Sequence, residues 1–196
     1  MSASRCAVVT CAWLALLLPF QTASAAGDVW ALLQQPGHVV LLRHAKAPGG
    51  GNVPPVGDPK NFRLDDCATQ RNLSEAGRAQ ARALGAALQQ HGVSFPRVLS
   101  SQWCRCLETA RLAGTGEPEP FPALNNFFDD RARAPAQIAE LKAFLAGVGS
   151  GERLLLVTHG VVISGLTGQS VAEGEMLILK LDGTGSFAVA GRIPPP

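Results

Sequence analysis

Arg153-Leu-Leu-Leu-Val-Thr158 is a strand-length run whose four central residues are all apolar, with no alternation. A strand with one wet face alternates apolar and polar side chains. A strand covered on both faces, as at the centre of a parallel sheet, does not. The run therefore asks for packed layers on both sides. Two shorter runs, His38-Val-Val-Leu-Leu42 and Arg97-Val-Leu-Ser100, repeat the pattern. Between and after them lie helix signals. Ser74 can cap a helix whose Ala81, Leu84 and Leu88 share a face and which ends before Gly92. Trp103 to Ala113 reads as a helix stopped by Gly114. Pro135 opens another, with Ile138, Leu141, Leu145 and Val148 at helical spacing. Phe121 falls in a short extended piece, and Val161–Leu166 begins a further helix. Glu175–Leu181 and Ser186–Ala190 read as a hairpin around Asp182-Gly183. Strands separated by helices predict a three-layer α/β/α sandwich with a mostly parallel central sheet.

The first 25 residues read as an export signal: Arg5, an apolar run from Cys6 to Phe20, then Ala23-Ser24-Ala25 as a cleavage pattern. The run is shorter than the ~20 residues a membrane span needs. The expected organisation is a signal peptide at 1–25 and one domain at 26–196, periplasmic or secreted, with no membrane span after cleavage. The domain keeps 16 basic against 15 acidic side chains. That balance leaves no basic footprint for nucleic acid. It also keeps Cys67, Cys104 and Cys106. Export favours a disulfide from Cys67 to either Cys104 or Cys106, with one thiol left over.

Open α/β sheets bind ligands beyond the carboxyl ends of their strands. Arg43-His44 follows the first strand, Ser101 and then Arg105 the second, and His159-Gly160 the third. Two imidazoles and two guanidiniums on one rim suit a phosphomonoester. Guanidinium forks bind phosphoryl oxygens bidentately, and neutral imidazole is a competent nucleophile. The four histidines lack paired ligand spacing, so neither a metal nor another cofactor is expected.

Leu41-Leu-Arg-His-Ala45 resembles the signature of the histidine phosphatase superfamily, the phosphoglycerate mutase-like group. Three further stretches resemble that family in order: Leu73-Ser-Glu-Ala-Gly-Arg-Ala-Gln-Ala81, Ser100-Ser-Gln-Trp-Cys-Arg105 continuing to Thr109-Ala110, and Leu156-Val-Thr-His-Gly160. Together they span residues 39 to 160. The resemblance implies that His44 is phosphorylated, that Arg43 and Arg105 hold the phosphoryl oxygens, and that His159 binds the same group. It also implies an acidic proton donor between Arg105 and His159, for which Asp129 is the first candidate and Asp130 the second. The expected activity is phosphomonoester hydrolysis on a small-molecule substrate. A phosphomutase and a non-catalytic phosphate-binding envelope protein are the alternatives. The Gly/Pro/Asp-rich segment 45–72 is expected to form a substrate lid, with Lys46 as a possible phosphate contact.

Overall fold

The computed structural model describes residues 29–49 and 57–196; the expected signal peptide lies outside them. Among the described residues, six strands form one sheet: β1 (His38–Arg43), β2 (Arg97–Ser100), β3 (Glu119–Pro120), β4 (Arg153–Thr158), β5 (Met176–Leu181) and β6 (Phe187–Ile193). Their order across the sheet is β3-β2-β4-β1-β5-β6. β1, β2, β3 and β4 run parallel, whereas β5 pairs antiparallel with both β1 and β6. The α/β fold is as expected, and the run that most demanded cover, β4, lies inside the sheet between β2 and β1.

Five α-helices among the described residues accompany it: α1 (Val29–Leu32), α2 (Glu75–Gln90), α3 (Cys104–Leu112), α4 (Ala134–Ala146) and α5 (Gly160–Thr167). The two-residue period of the strands divides their side chains between two cores. Val40, Leu42, Leu155 and Val157 pack with Leu84 and Leu88 of α2 and with Cys106 and Ala110 of α3. Val39, Leu41, Leu154 and Leu156 pack on the other face with Leu141 and Leu145 of α4 and Ile163 and Leu166 of α5. The unbroken apolar runs of β1 and β4 are thus what two layers of helices require.

α2 is tied to the segment that follows β1. Ser74 caps it by accepting the Gly77 N–H at 3.0 Å, and the Ser74 N–H donates to the Lys46 carbonyl at 3.0 Å. A Cβ at Gly77 would run into that same carbonyl, so only glycine lets the helix dock here. Phe121 lies just beyond the extended pair Glu119–Pro120, its N–H donating to the Ser100 carbonyl at 2.7 Å. The terminal hairpin pairs as expected and carries a register shift between Ile178 and Leu179.

Candidate active site

The carboxyl ends of β1, β2 and β4 open onto a cavity of about 250 Å³, whose lining includes Arg43, His44, Arg105 and His159. Parallel pairing sets this convergence. The register aligns Arg43 with Thr158, so His44 and His159 emerge side by side, and the His44 N–H donates to the Thr158 carbonyl at 2.9 Å. The two imidazole rings lie 5.3 Å apart, edge to face. Both are buried, at 2% and 3% exposure.

Hydrogen bonds assign the protons. His44 Nδ1 lies 2.8 Å from the Ala45 carbonyl, an acceptor only, so Nδ1 carries the hydrogen and Nε2 the lone pair. The Ser101 hydroxyl donates to Asn125 Oδ1 at 3.3 Å, so it accepts from His159 Nε2 at 2.8 Å. His159 Nδ1 then offers its lone pair toward Arg105 Nη2, 3.4 Å away. Burial, followed by the charge of Arg105, holds both imidazoles neutral well below their ordinary 6.5; the Ala45 carbonyl opposes the shift at His44.

The arginines are anchored from behind. Arg43 Nη1 donates to the Val171 carbonyl at 2.8 Å, and Nη2 lies 3.6 Å from Glu173. A Cβ at Gly160 would stand 3.3 Å from Arg43 Nε, which explains glycine at the first position of α5. The Nε groups of Arg43, Arg105 and Arg71, all residues lining the cavity, are buried and have no hydrogen-bond acceptor among the described residues. Three cationic N–H donors without acceptors are what an oxyanion site requires.

The profile of the histidine phosphatase superfamily (branch 1) matches residues 39–127. The matched stretch takes in Arg43, His44 and Arg105 of this chain. Similar histidine phosphatase folds include the protein histidine phosphatase SixA complexed with tungstate, at 20% identity and a TM-score of 0.54, covering 81% of this chain and 97% of that one. SixA from Agrobacterium tumefaciens is 18% identical with a TM-score of 0.53, covering 82% and 99%. Mycobacterial hydrolase 1 is 18% identical with a TM-score of 0.57, covering 83% and 100%. No curated protein sequence matches the chain significantly.

Within this cavity, two residues come from a segment whose sequence did not single them out. Asp58 and Arg71 both line the cavity. The Asp58 carboxylate faces the Arg105 guanidinium at 2.9 Å, with both side chains only 1% exposed. Burial alone would raise the Asp58 pKa; the charge and hydrogen bonds of Arg105, with the Arg71 N–H and the Trp103 indole, overcome that and lower it. Arg71 reaches the Pro48 carbonyl through Nη1 at 2.7 Å. A disulfide between Cys67 and Cys104 fastens this segment to the first residue of α3. Of the two pairings left open by the sequence, this is the one formed. Cys106 stays reduced, and burial pushes its thiol up to about 12.

Asp129 does not join the other site residues. Both Asp129 and Asp130 are exposed, and their segment contributes Asn126 and Phe128 to the cavity wall instead. Phe127 packs into the core with residues of α4 and α5, and the exposed Asp129 carboxylate stands against Gly57, itself a lining residue. Lys46 is likewise exposed and outside the cavity lining, because its backbone is committed to the start of α2. Glu108 is taken by Arg78 at 2.7 Å.

Proposed function

We propose that this protein is an exported phosphomonoester hydrolase that works through a phosphohistidine at His44. One observation carries this reading: a buried imidazole with its lone pair on Nε2 shares a small cavity with three arginines whose Nε–H groups have no acceptor among the described residues. Tungstate, bound in the SixA structure, is a tetrahedral oxyanion of the kind such a cavity suits. The disulfide, with Cys67 at the surface, favours an oxidising compartment and so supports export.

His44 Nε2 attacks phosphorus in line, and the ester oxygen leaves. Arg43, Arg71 and Arg105 neutralise the non-bridging oxygens, and His159, whose Nδ1 faces Arg105 Nη2, helps hold that fork beside them. Positioning and charge neutralisation are most of what the protein contributes to phosphoryl transfer. Water then attacks the phosphohistidine, returning neutral His44 and inorganic phosphate.

Asp58 is the only carboxylate lining the cavity among the described residues, and its lowered pKa makes it a poor acid. The enzyme therefore works best on phosphoryl donors whose leaving group needs no acid from the protein, such as aryl phosphates, or phosphohistidine, whose leaving imidazole takes its proton from water at the other ring nitrogen. Phosphohistidine is the substrate that the description of SixA from Agrobacterium tumefaciens names.

The test is rapid quenching during turnover of a labelled aryl phosphate. An acid-labile, base-stable label on His44 is expected, and wild-type protein that releases phosphate without such a label removes the mechanism. Binding of phosphate with neither label nor turnover would instead favour the non-catalytic alternative.

A further inference from the structure

The guanidinium of Arg105 has two hydrogen-bonding edges, and only one of them is filled by acceptors among the described residues. Its end-on edge is filled. Nη1 donates to Asp58 Oδ1 at 2.9 Å and to the Arg71 carbonyl at 3.2 Å, while Nη2 lies 3.2 Å from Asp58 Oδ2. The side-on edge is Nε with the outer face of Nη2. There Nε is buried without an acceptor among the described residues, and Nη2 meets only His159 Nδ1. Asp58 is itself saturated. Besides Arg105 it accepts the Arg71 N–H at 3.0 Å and the Trp103 indole N–H at 2.9 Å. Trp103 stacks edge to face on His159, with ring centres 5.5 Å apart.

A carboxylate in this position has two possible roles. It is either a resident competitor for the substrate's phosphoryl oxygens or a backstop that aims the arginine. A competitor would hold the edge that the substrate needs and would have lone pairs to spare once displaced. Here the carboxylate holds the opposite edge, and its four donors come from three residues that themselves line or frame the cavity.

The geometry points to Asp58 as the positioning residue of the site: it locks the end-on edge of Arg105 so that the Nε edge presents to a phosphoryl oxygen. This deepens the proposed function and rests on it. Asp58 works through Arg105 and does not touch the reacting atoms. The Cys67–Cys104 bond, which flanks Arg105 at one end and closes the segment bearing Asp58 and Arg71 at the other, keeps the backstop in place.

The experiment is a double-mutant cycle read by phosphate affinity and by kinetics. Asp58→Asn keeps the shape and removes the charge, and thermal unfolding checks that it folds. Expected are a loss of affinity for inorganic phosphate and a loss of kcat/KM on the order of 10–100-fold, the range of one preorganised charged contact. In an Arg105→Ala background, where no fork remains to aim, the same substitution should cost under about 2-fold. Tighter phosphate binding by Asp58→Asn would mean that Asp58 is a competitor and would overturn the proposal. An equal loss with and without Arg105 would also overturn it, because the role would then be general support of the fold. Wild-type protein that binds no phosphate overturns it as well. Phosphate binding is measured without turnover, so a protein that binds phosphate but forms no phosphohistidine defeats the enzymatic reading while leaving Asp58 open to judgement by affinity.

Discussion

Two halves of the cavity are built by different means. One half, Arg43, His44 and His159, stands at the ends of β1 and β4, where parallel hydrogen bonding sets every position. The other half, Asp58 and Arg71, sits on a segment with little regular structure. That segment is held by turns, by the Gln70 amide that accepts the Cys104 N–H at 2.9 Å, and by one disulfide. The sheet-borne half supplies the nucleophile and depends on the fold as a whole. The loop-borne half supplies aim and extra charge, and local bonds can be cut without unfolding the sheet. Damage to the first should act on the chemical step, and damage to the second on phosphate binding.

The largest expected effect tests the sheet-borne half. His44→Asn should lower kcat by roughly 10⁴-fold or more, as loss of a nucleophile does elsewhere, and abolish the acid-labile label. Residual turnover near wild type would remove His44 from the chemistry. The loop-borne half is tested by Cys67→Ser with Cys104→Ser. This variant should raise KM about 10-fold, change kcat little, and lose about 2–4 kcal/mol of stability. A change confined to kcat, with KM unmoved, would erase the distinction between the halves.

A subtler effect is the pH profile. Both imidazoles have folded pKa values well below the 6.5 they regain on unfolding. Their contribution to stability is therefore complete above pH 6.5 and drains away as pH falls below it. The neutral nucleophile persists over the same range. The acid limb of kcat/KM should thus lie below pH 6.5, measured with an aryl phosphate whose own ionisation is lower than the range scanned. A limb centred at or above 6.5 contradicts the burial argument. The smallest expected effect is that of Asp129→Asn, which should change kcat/KM less than about 2-fold, because the side chain is exposed and outside the cavity lining. A loss beyond about 10-fold with an aryl phosphate would restore Asp129 as an acid.

The same contrast explains what was legible in the sequence. β1, β2 and β4 carry their burial in composition, and the residues after a strand are placed by the strand, so four site positions follow from local pattern. Asp58 and Arg71 carry no such mark. Nothing periodic surrounds them, and their roles arise from contacts 47 and 34 positions away along the chain. The disulfide was a faint signal, since it tied residues 45–72 to Arg105, but it did not name a side chain. Asp129 is the converse case: the resemblance suggested an acid there, and the structure places its exposed carboxylate beside Gly57 rather than among the arginines.

The third cysteine carries a last consequence. Cys106 sits two residues past Cys104 on α3, a spacing that points the two side chains to different helix faces. Thiol–disulfide exchange proceeds through the thiolate, and burial beneath His159 withholds it: the sulfur is fully buried, 3.5 Å from the imidazole, and titrates only near 12. Once the Cys67–Cys104 bridge closes, the odd sulfur is chemically silent, so scrambling requires that the domain first come apart.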